Sequence, residues 1–289
     1  MKKILITGCS SGFGYDASKY LADKGHHVYA TMRNSTSKNK KSANELREYA
    51  SSKSLNIEVL DMDVTSDESV KAAVAQISGV DVLINNAGVG FGGTLEAFSS
   101  QQFLDQLNLN IVGTHRVAKA VLPTMRAQKS GLIIQVSSTA GRAAFPGFGV
   151  YCSSKWGLEG MSEALRYELG PLGIDTVIVE PGPFSTDFFT NIINAEDAEV
   201  NEAYGHVNGF MEGFGQQVNQ MYEDENAPTD PMIVVELFED LINMQAGSRP
   251  IRTIAGLDFG YQAFNDATEP IRKAGIAAMG FNEWDGPSS

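Results

Sequence analysis

The chain contains few residues of the kinds that stabilise secreted domains or span membranes. It has only two cysteines in 289 residues, too few for a disulfide framework, and such low usage is typical of a reduced compartment. No apolar run approaches the roughly 18 residues that a membrane span needs. The apolar run that follows Lys2 and Lys3 is too short for a signal peptide. We therefore expect a cytoplasmic protein that does not insert into a membrane.

Positive charge is also scarce, and one long stretch has none. The formal net charge is -13, and residues 167–248 contain neither Lys nor Arg. Binding to nucleic acid or to an anionic membrane needs a basic patch, so we expect neither partner. A solvated face that aids solubility explains the acidic stretch better than a docking surface for a basic partner. The four histidines have no metal-ligand spacing with Cys or carboxylates, and we predict no metal site.

What the sequence has instead is a regular alternation of short apolar runs with helical segments. Continuous apolar strands that alternate with helices are typical of a parallel sheet covered on both faces. The pattern predicts one α/β domain over residues 1–289, a doubly wound, Rossmann-type parallel sheet with helices on both faces. The predicted strands are 4–7, 27–32, 56–60, 80–84, 132–136, 175–179 and 252–255, and the predicted helices are 15–24, 42–51, 67–77, 101–126, 150–169 and 232–244.

The alternation breaks after Pro181. Residues 184–230 are rich in Phe, Asn, Glu and Gly and show no clear strand pattern. We predict that they form mobile helices in an insertion, which would serve as a substrate lid that orders on binding. The residues beyond 255 are predicted to form a C-terminal extension.

A glycine-rich turn, residues 7–14, joins the first strand to the first helix. Glycines there let the backbone turn sharply and approach a pyrophosphate, whose charge the helix N-terminus favours. The spacing is G-x-x-x-G-x-G and not the G-x-G-x-x-G of the two-half dinucleotide fingerprint. A purely structural turn is the alternative, but the strand, turn and helix order favours a nucleotide site.

A tyrosine and a lysine, Tyr151 and Lys155, lie four residues apart in a predicted helix and so share one face. An ammonium beside a phenol favours the phenolate, so we expect Lys155 to lower the tyrosine pKa from its ordinary value of about 10. That would make Tyr151 a proton donor and acceptor near neutral pH. The pair alone is weak evidence, because this spacing is common by chance.

Taken together, the motifs resemble the short-chain dehydrogenase/reductase family, in its single-domain branch and with features of NADP-preferring ketoreductases and hydroxysteroid dehydrogenases. Each motif stands in the family's order and in its expected structural position. The matching residues are Thr7-Gly8-x-x-x-Gly12-x-Gly14, Asp63-Val64, Asn85-Asn86-Ala87-Gly88, Asn110, Ser137-Ser138, Tyr151-x-x-x-Lys155, and Pro181-Gly182 with Thr186.

The resemblance implies a nicotinamide dinucleotide cofactor and residues that bind it. The glycine turn would line the diphosphate, the residues after the third and fourth strands would hold the adenosine, and those after the sixth strand would flank the nicotinamide. Asn85 is left out, because its amide is expected to join neighbouring strands. The implied set is Gly8, Ser10, Ser11, Gly12, Phe13, Gly14, Arg33, Asp63, Val64, Asn86, Ala87, Gly88, Tyr151, Lys155, Pro181, Gly182 and Thr186.

The same resemblance implies the catalytic residues Asn110, Ser138, Tyr151 and Lys155. Reduction of a carbonyl builds negative charge on its oxygen, so the site needs a hydrogen-bond donor and a proton source there. Ser138 would be the donor, with Ser137 as the alternative, and Tyr151 would be the acid, or the base in oxidation. Lys155 would also bind the nicotinamide ribose. Asn110 would bind a water that links Lys155 to solvent, or else pack within its helix.

The second strand favours NADP over NAD. An acid at its end would hold the ribose hydroxyls of NAD, whereas an arginine accommodates a 2′-phosphate. The strand ends in Met32 and Arg33, without an acid nearby, and Lys38, Lys40 and Lys41 follow. Ser11 departs from many NADP-preferring relatives, which carry a basic residue there, and Arg33 could be a plain surface arginine.

The substrate end is predicted from aromatic residues in loops that border the nicotinamide in this fold. They indicate an apolar pocket for a secondary alcohol or ketone, although each could also be a core residue: Phe91, Phe145, Phe148, Phe184, Phe188 and, beside them, Phe189. The resemblance further implies a homodimer or homotetramer. Two other functions stay open, a nucleotide-sugar epimerase or dehydratase and a non-catalytic NADP sensor.

Overall fold

The computed structural model describes residues 1–288 as one α/β unit of alternating strands and helices. In chain order the elements are β1 (Lys3–Ile6), α1 (Gly12–Asp23), β2 (His27–Met32), α2 (Lys40–Lys53), β3 (Ile57–Asp61), α3 (Asp67–Val74), β4 (Val82–Asn85), β5 (Phe91–Gly92), α4 (Ser100–Leu107), α5 (Gly113–Gln128), β6 (Gly131–Val136), α6 (Gly149–Leu169), β7 (Ile174–Pro181), β8 (Ile193–Asn194), α7 (Ala198–Ala203), α8 (Gly205–Glu223), α9 (Met232–Asn243), β9 (Arg252–Ala255) and α10 (Tyr261–Ala278).

Seven of the strands form one parallel sheet in the order β3-β2-β1-β4-β6-β7-β9. Successive residues of β1 point to opposite faces of the sheet. Ile4 belongs to one hydrophobic cluster with Leu21 and Phe238, and Leu5 belongs to a second cluster with Val117. Helices therefore cover both faces, and the predicted doubly wound fold is confirmed. The strand order reverses between β1 and β4, the position where such sheets bind ligands beyond the carboxyl ends of the strands.

The predicted long helix 101–126 is wrong in one respect, because it is interrupted. Helix α4 ends at Leu107, a five-residue π-helical turn spans Asn108–Val112, and α5 begins at Gly113. A π turn has no signature in apolar periodicity, so the pattern could not show it. It places Asn110 in the interior, and π turns are frequent at functional sites.

The segment 184–230 is largely helical, as predicted, and it also holds a short strand that the sequence pattern did not show. Helices α7 and α8 form most of it, and β8 pairs in parallel with β5 over two residues. Of α8, only Val207 and Val218 are buried. Helix α8 therefore has few fully buried side chains, although Met211 and Phe214 pack against the domain.

The C-terminal extension contains α10, which is held by polar contacts. Arg272 pairs with Asp285 at 2.7 Å, and Asp285 also pairs with Arg166 of α6 at 2.6 Å. Arg166 in turn pairs with the buried Asp175 of β7 at 3.1 Å. These contacts are ionic, and the apolar pattern of the sequence had predicted only an extension here and not the helix α10. Within residues 1–288, no helix is long and apolar enough to cross a membrane.

Thr7 joins the two central strands at the point where the chain order reverses. Its buried hydroxyl oxygen accepts hydrogen bonds from the backbone N–H groups of Asn86 at 3.0 Å and Ala87 at 2.9 Å. The Asn86 side chain returns a bond to the Thr7 carbonyl at 2.9 Å. The end of β4 is thus fixed against the end of β1, where the glycine turn begins.

Thr7→Val keeps the shape of the side chain and removes the oxygen that accepts these two bonds. Two N–H groups would then lack an acceptor, and we expect a loss of about 2–4 kcal/mol in the free energy of unfolding. Urea unfolding measures it, with the exposed Thr124→Val as the matched control. An equal effect of both substitutions would contradict the role given to Thr7.

Candidate active site

One cavity of about 1180 Å³ opens beyond the carboxyl ends of the strands. It is lined at one end by the glycine turn and at the other by aromatic side chains, and Tyr151 and Lys155 border it together with Ser138. Of the predicted cofactor residues, all but Gly14 line this cavity; of the predicted catalytic residues, only Asn110 does not. The fold therefore brings into one cavity predicted residues that lie between Gly8 and Thr186 in the sequence.

The glycine turn has the shape that a closely approaching ligand needs. Gly8 and Gly12 adopt φ values of +74° and +55°, which side chains rarely adopt. A Cβ on Gly14 would lie 2.6 Å from both the Gly8 carbonyl oxygen and the Asn86 amide nitrogen. Gly14 thus allows α1 to pack against the turn and does not itself face the cavity, which corrects its predicted role as a binding residue.

The adenosine end is built by the loops after β2 and β3. Arg33, Lys38 and Val64 line the cavity. The Asp63 carboxylate also lines it and accepts from the Thr65 N–H at 2.9 Å and the Thr65 hydroxyl at 2.7 Å, which fixes this turn. Asp63, Val64 and Thr65 of this turn all line the cavity.

An acid that the sequence reading overlooked lies close to this loop. Asp61 ends β3 beside Met32 of β2, and its carboxylate accepts from the Ser35 N–H at 2.7 Å and the Ser35 hydroxyl at 2.8 Å. Its oxygen is thereby used to hold the loop that carries Arg33. Met32 is buried and Arg33 is exposed, so the guanidinium is available at the cavity rim.

The two asparagines after β4 have different partners. The buried Asn85 amide donates to Gln135 of β6 at 3.0 Å, so the expectation that it joins strands is confirmed. Asn86 donates to the carbonyl oxygens of Thr7 at 2.9 Å and Gly8 at 3.3 Å. Its amide therefore holds the glycine turn in place, while the residue still borders the cavity.

The tyrosine and lysine of α6 are buried side by side beneath the cavity. Tyr151 is 8% and Lys155 6% exposed. The Lys155 ammonium donates to the Val136 carbonyl oxygen at 2.8 Å and lies 5.8 Å from the centre of the Tyr151 ring. One bond to the carboxyl end of β6 thus fixes the lysine against the sheet, with the phenol above it.

Burial dominates the protonation of both groups. It raises the pKa of Tyr151, although a hydrogen bond with the Ser138 hydroxyl acts in the opposite direction. It lowers the pKa of Lys155 to about 8, with the nearby Glu159 charge opposing the shift. The expected lowering of the tyrosine pKa is not found in this structure, because burial raises this pKa and the opposing contribution comes from the Ser138 hydroxyl and not from Lys155.

The adjacent serines differ in where their hydroxyls lie. The Ser138 hydroxyl accepts from the Ala140 N–H at 3.1 Å and donates to the Pro181 carbonyl oxygen at 3.5 Å. The Ser137 hydroxyl is buried without a hydrogen-bond partner among residues 1–288. Both serines line the cavity together with Tyr151, and Ser138 stays the serine predicted to act with it.

Asn110 lies in the π turn and is bound to its neighbours. Its amide nitrogen donates to the Val89 carbonyl oxygen at 3.2 Å and to the Ser154 hydroxyl at 2.9 Å, and its oxygen accepts from the Val89 N–H at 3.3 Å. Both donor hydrogens are thereby used inside the protein. Asn110 positions the loop after β4 against α6, and its predicted role in binding a water stays a prediction.

Aromatic side chains surround the other end of the cavity. The Tyr151 ring centre is 5.3 Å from that of Phe188, and Phe145 and Phe148 pack in the same cluster. Phe91 is also buried and lines the cavity. The predicted apolar pocket therefore has an aromatic wall beside the tyrosine hydroxyl.

Two corrections apply to this wall. Phe184 is 3% exposed and packs edge-on against Phe13 at 5.3 Å within the core, so it is chiefly a core residue although it borders the cavity. Met211 and Phe214 of α8 complete the aromatic cluster from above, and the sequence reading did not identify them. Their spacing of three residues was the available signal.

Cys152, next to Tyr151, is buried in this cluster. In the described part of the chain, no group of three or more His, Cys, Asp or Glu side chains is arranged to hold a metal ion.

A glycine turn at the switch point of a parallel sheet, followed by a buried tyrosine and lysine, defines a dinucleotide-dependent oxidoreductase.

Comparison with known proteins agrees with this class. The family model described as short chain dehydrogenase matches residues 2–197. A 3-ketodihydrosphingosine reductase from Bacteroides thetaiotaomicron is 42% identical over 205 residues, 70% of this chain and 71% of the relative. The 17-beta-hydroxysteroid dehydrogenase type 1 of Mus musculus is 32% identical over 291 residues, covering 96% and 80% of the two chains.

A solved structure described as a short-chain dehydrogenase from Streptomyces avermitilis superposes with a TM-score of 0.74 at 29% identity, and the match covers 95% of this chain and 99% of that one. The chain belongs to the short-chain dehydrogenase family. It is an oxidoreductase that acts on alcohol and ketone groups with a nicotinamide nucleotide.

Proposed function

We propose that the protein reduces an apolar ketone to a secondary alcohol with NADPH, with Tyr151 as the proton donor. The observation that carries the proposal is the position of Tyr151. It borders one cavity between the glycine turn and the aromatic wall, and its ring packs against Phe188. A carbonyl group held beside Tyr151 would lie close to the nucleotide end of the cavity and to a proton donor.

The residues present fit a dinucleotide. Gly8 and Gly12 supply the open turn at the N-terminus of α1, where a diphosphate is favoured. Asp63 and Val64 would hold the adenosine, and Pro181, Gly182 and Thr186 would flank the nicotinamide ring. When bound, the nicotinamide supplies the hydride. A Cβ on Gly12 would lie 3.7 Å from Thr186, so the glycine turn and the loop after β7 lie next to each other.

The protein's own residues handle the proton and the charge on oxygen. Ser138 would donate a hydrogen bond to the carbonyl oxygen, and the Tyr151 hydroxyl would donate the proton. Because burial raises the pKa of Tyr151, the phenol keeps its proton at neutral pH and suits reduction. The Lys155 ammonium would stabilise the tyrosinate that remains, since charge acts strongly in a buried site.

Tyr151→Phe keeps the ring and removes the proton donor. We expect the rate of NADPH oxidation in the presence of an apolar ketone to fall roughly 10²–10⁴-fold, the range of general acid catalysis, while NADPH binding is retained. Tyr20→Phe on α1, away from the cavity lining, is the control. Unchanged turnover in Tyr151→Phe would refute the assignment.

The preference for NADP rests on the loop after β2. Arg33 and Lys38 line the nucleotide end of the cavity, and no acid stands at the end of β2, while the nearby Asp61 is bound to Ser35. A 2′-phosphate beside Arg33 would gain a charge-assisted hydrogen bond. The ribose of NAD would find no carboxylate in the same position.

Arg33→Ala tests this preference. Loss of a hydrogen bond to a charged group costs about 1.5–3 kcal/mol, so we expect kcat/KM for NADPH to fall roughly 10–100-fold, with little change for NADH. The exposed Arg47→Ala of α2 is the matched control. An equal loss with both nucleotides would contradict a role in reading the 2′-phosphate.

The lining also indicates the substrate. The cationic residues of the cavity are Arg33 and Lys38 at the nucleotide end and Lys155 at the centre, and the aromatic end has none. A substrate carboxylate there would have no counter-charge, whereas Asp187 lies on the lid side. The relatives named for ketodihydrosphingosine and a hydroxysteroid are consistent with an apolar, neutral or cationic substrate. Turnover of a ketone separates this function from an epimerase or a sensor.

We further propose that residues 184–230 act as the substrate lid. Phe188 lies over Gly90, whose Cβ would be 2.7 Å from that ring, and Met211 of α8 packs against Gly92 and Gly147. Glycine at these positions allows the lid to lie close to the domain. The few buried residues of α8 would let it open for substrate entry.

Self-association is the remaining expectation of the resemblance. Leu104 of α4 is 57% and Trp156 of α6 48% exposed, on two helices that pack against each other. Together they form an apolar surface suited to the same helices of a second copy, which supports the proposal of a dimer.

Leu104→Glu introduces a charge into this surface. We expect sedimentation analysis to show a smaller assembly than the wild type, because a buried charge without a partner is costly. Ile271→Glu on α10, where the side chain is 71% exposed, is the control. Dissociation by Ile271→Glu alone would place the interface on α10 instead.

A further inference from the structure

A cluster of buried charged groups lies directly behind the catalytic helix. It contains Glu159 of α6, Glu180 of β7, Arg252 of β9 and Arg142 from the turn after Ser138. Glu180 is 0% and Glu159 3% exposed. Charges are rarely buried so completely unless they are paired, and the mechanism above uses none of these four.

The two carboxylates share their counter-charges unequally. Arg252 Nε pairs with Glu159 Oε2 at 2.9 Å and is 3.6 Å from Glu180 Oε1, while Arg142 Nε is 3.7 Å from the same Glu180 oxygen. Asn265 of α10 donates to Glu180 Oε2 at 2.5 Å. Glu159 Oε1 and Glu180 Oε1 each have no hydrogen-bond partner among residues 1–288. Glu180 is therefore buried near the like charge of Glu159, and the two carboxylates have Arg252 in common.

Glu159 also faces the catalytic centre. It follows Lys155 by one helical turn, on the same face of α6. The Lys155 ammonium is buried and its hydrogen bond goes to a neutral oxygen of β6, so Glu159 is the carboxylate that opposes the cost of burying the charge. From the turn after β6, a Cβ on Gly141 would lie 2.8 Å from the Ser137 hydroxyl and 3.1 Å from Glu159 Oε1. The glycine leaves space between these two unpartnered atoms.

We propose that Glu159 is a positioning residue of the catalytic centre, which holds the positive charge on Lys155, and that Glu180 is an adjoining carboxyl group that adds negative charge to the cluster when it ionises. The role of Lys155 in turnover rests on the proposed function. The electrostatic arrangement of Glu159, Glu180 and Lys155 is independent of the proposed function.

Glu159 and Glu180 together would extend the pH range in which the side chain of Lys155 stays charged. Burial next to Glu159 raises the pKa of Glu180 to about 8, and burial lowers the pKa of Lys155 to about 8. As pH rises into this range, Glu180 gives up its proton and adds negative charge to the cluster. That charge favours the ammonium of Lys155 at the pH where it would otherwise be lost.

Glu159→Gln tests the proposal directly. NMR of protein labelled with ¹³C at lysine Cε follows the titration of Lys155, and Lys155→Arg assigns its resonance. We expect the Lys155 titration, and the alkaline limb of the rate of ketone reduction, to move to lower pH by roughly one unit. Glu163→Gln, which also breaks a contact with Arg252 but lies a further turn from Lys155, should leave both unchanged. Glu159→Asp should restore the wild-type titration.

Glu180→Gln provides a readout without turnover. A carboxyl whose folded pKa is raised contributes stability that is present below its unfolded pKa and lost as pH rises through its folded pKa. Wild-type stability in urea should therefore decline between about pH 5 and 8 more steeply than that of Glu180→Gln. An unshifted Lys155 titration in Glu159→Gln overturns the inference, even if ketones are reduced. Shifted titration without turnover leaves the inference standing and sinks the proposed function.

Discussion

The site depends on one buried contact, the hydrogen bond from the Lys155 ammonium to the Val136 carbonyl oxygen. It connects α6 to the carboxyl end of β6 and so places Tyr151 over the edge of the sheet where the nucleotide turn also lies. A lysine buried to this extent pays a desolvation cost that is seen in its lowered pKa. Glu159 is the nearby charge that opposes this shift, and it belongs to the cluster of charged groups behind α6.

Parallel strands explain how distant parts of the chain form one site. Since the carboxyl ends of all seven strands meet at one edge, the residues that follow β1, β4, β6 and β7 are brought together whatever their separation in sequence. Thr7 and Asn86 then fix the central two ends against each other. The glycine turn and Tyr151 are thus held on rigid elements, whereas α8 has only two buried residues, Val207 and Val218.

Much of this could be predicted from the sequence, because the governing signals are local. Apolar runs such as Ile4 to Ile6 predict buried parallel strands, and the ordered motifs predict the lining of the cavity. Glycine positions were predictable for the same reason, although Gly14 packs against Gly8 and Asn86 and does not line the cavity. Its role depends on the distance to Gly8 and Asn86, which only the folded chain defines.

Other features depend on tertiary contacts and could not be predicted. The direction of the Tyr151 pKa is set by burial and not by its neighbour four residues away, so helix spacing alone gave the wrong sign. Phe184 lines the cavity as predicted, but its edge-on contact with Phe13 in the core has no signal in the sequence. The cluster around Glu180 unites four elements and α10, and no pattern within any one of them indicates the others.

The central claim is that a carbonyl oxygen binds at the Tyr151 and Ser138 hydroxyls, with its apolar part against the aromatic wall. A crystal structure with NADP and an inert apolar ketone would test this most directly. We predict that the carbonyl oxygen lies about 2.6–3.2 Å from both hydroxyls and that the apolar part lies beside Phe188. An inert ketone bound with its oxygen directed away from Tyr151, in a protein that reduces reactive ketones with NADPH in solution, would contradict this prediction.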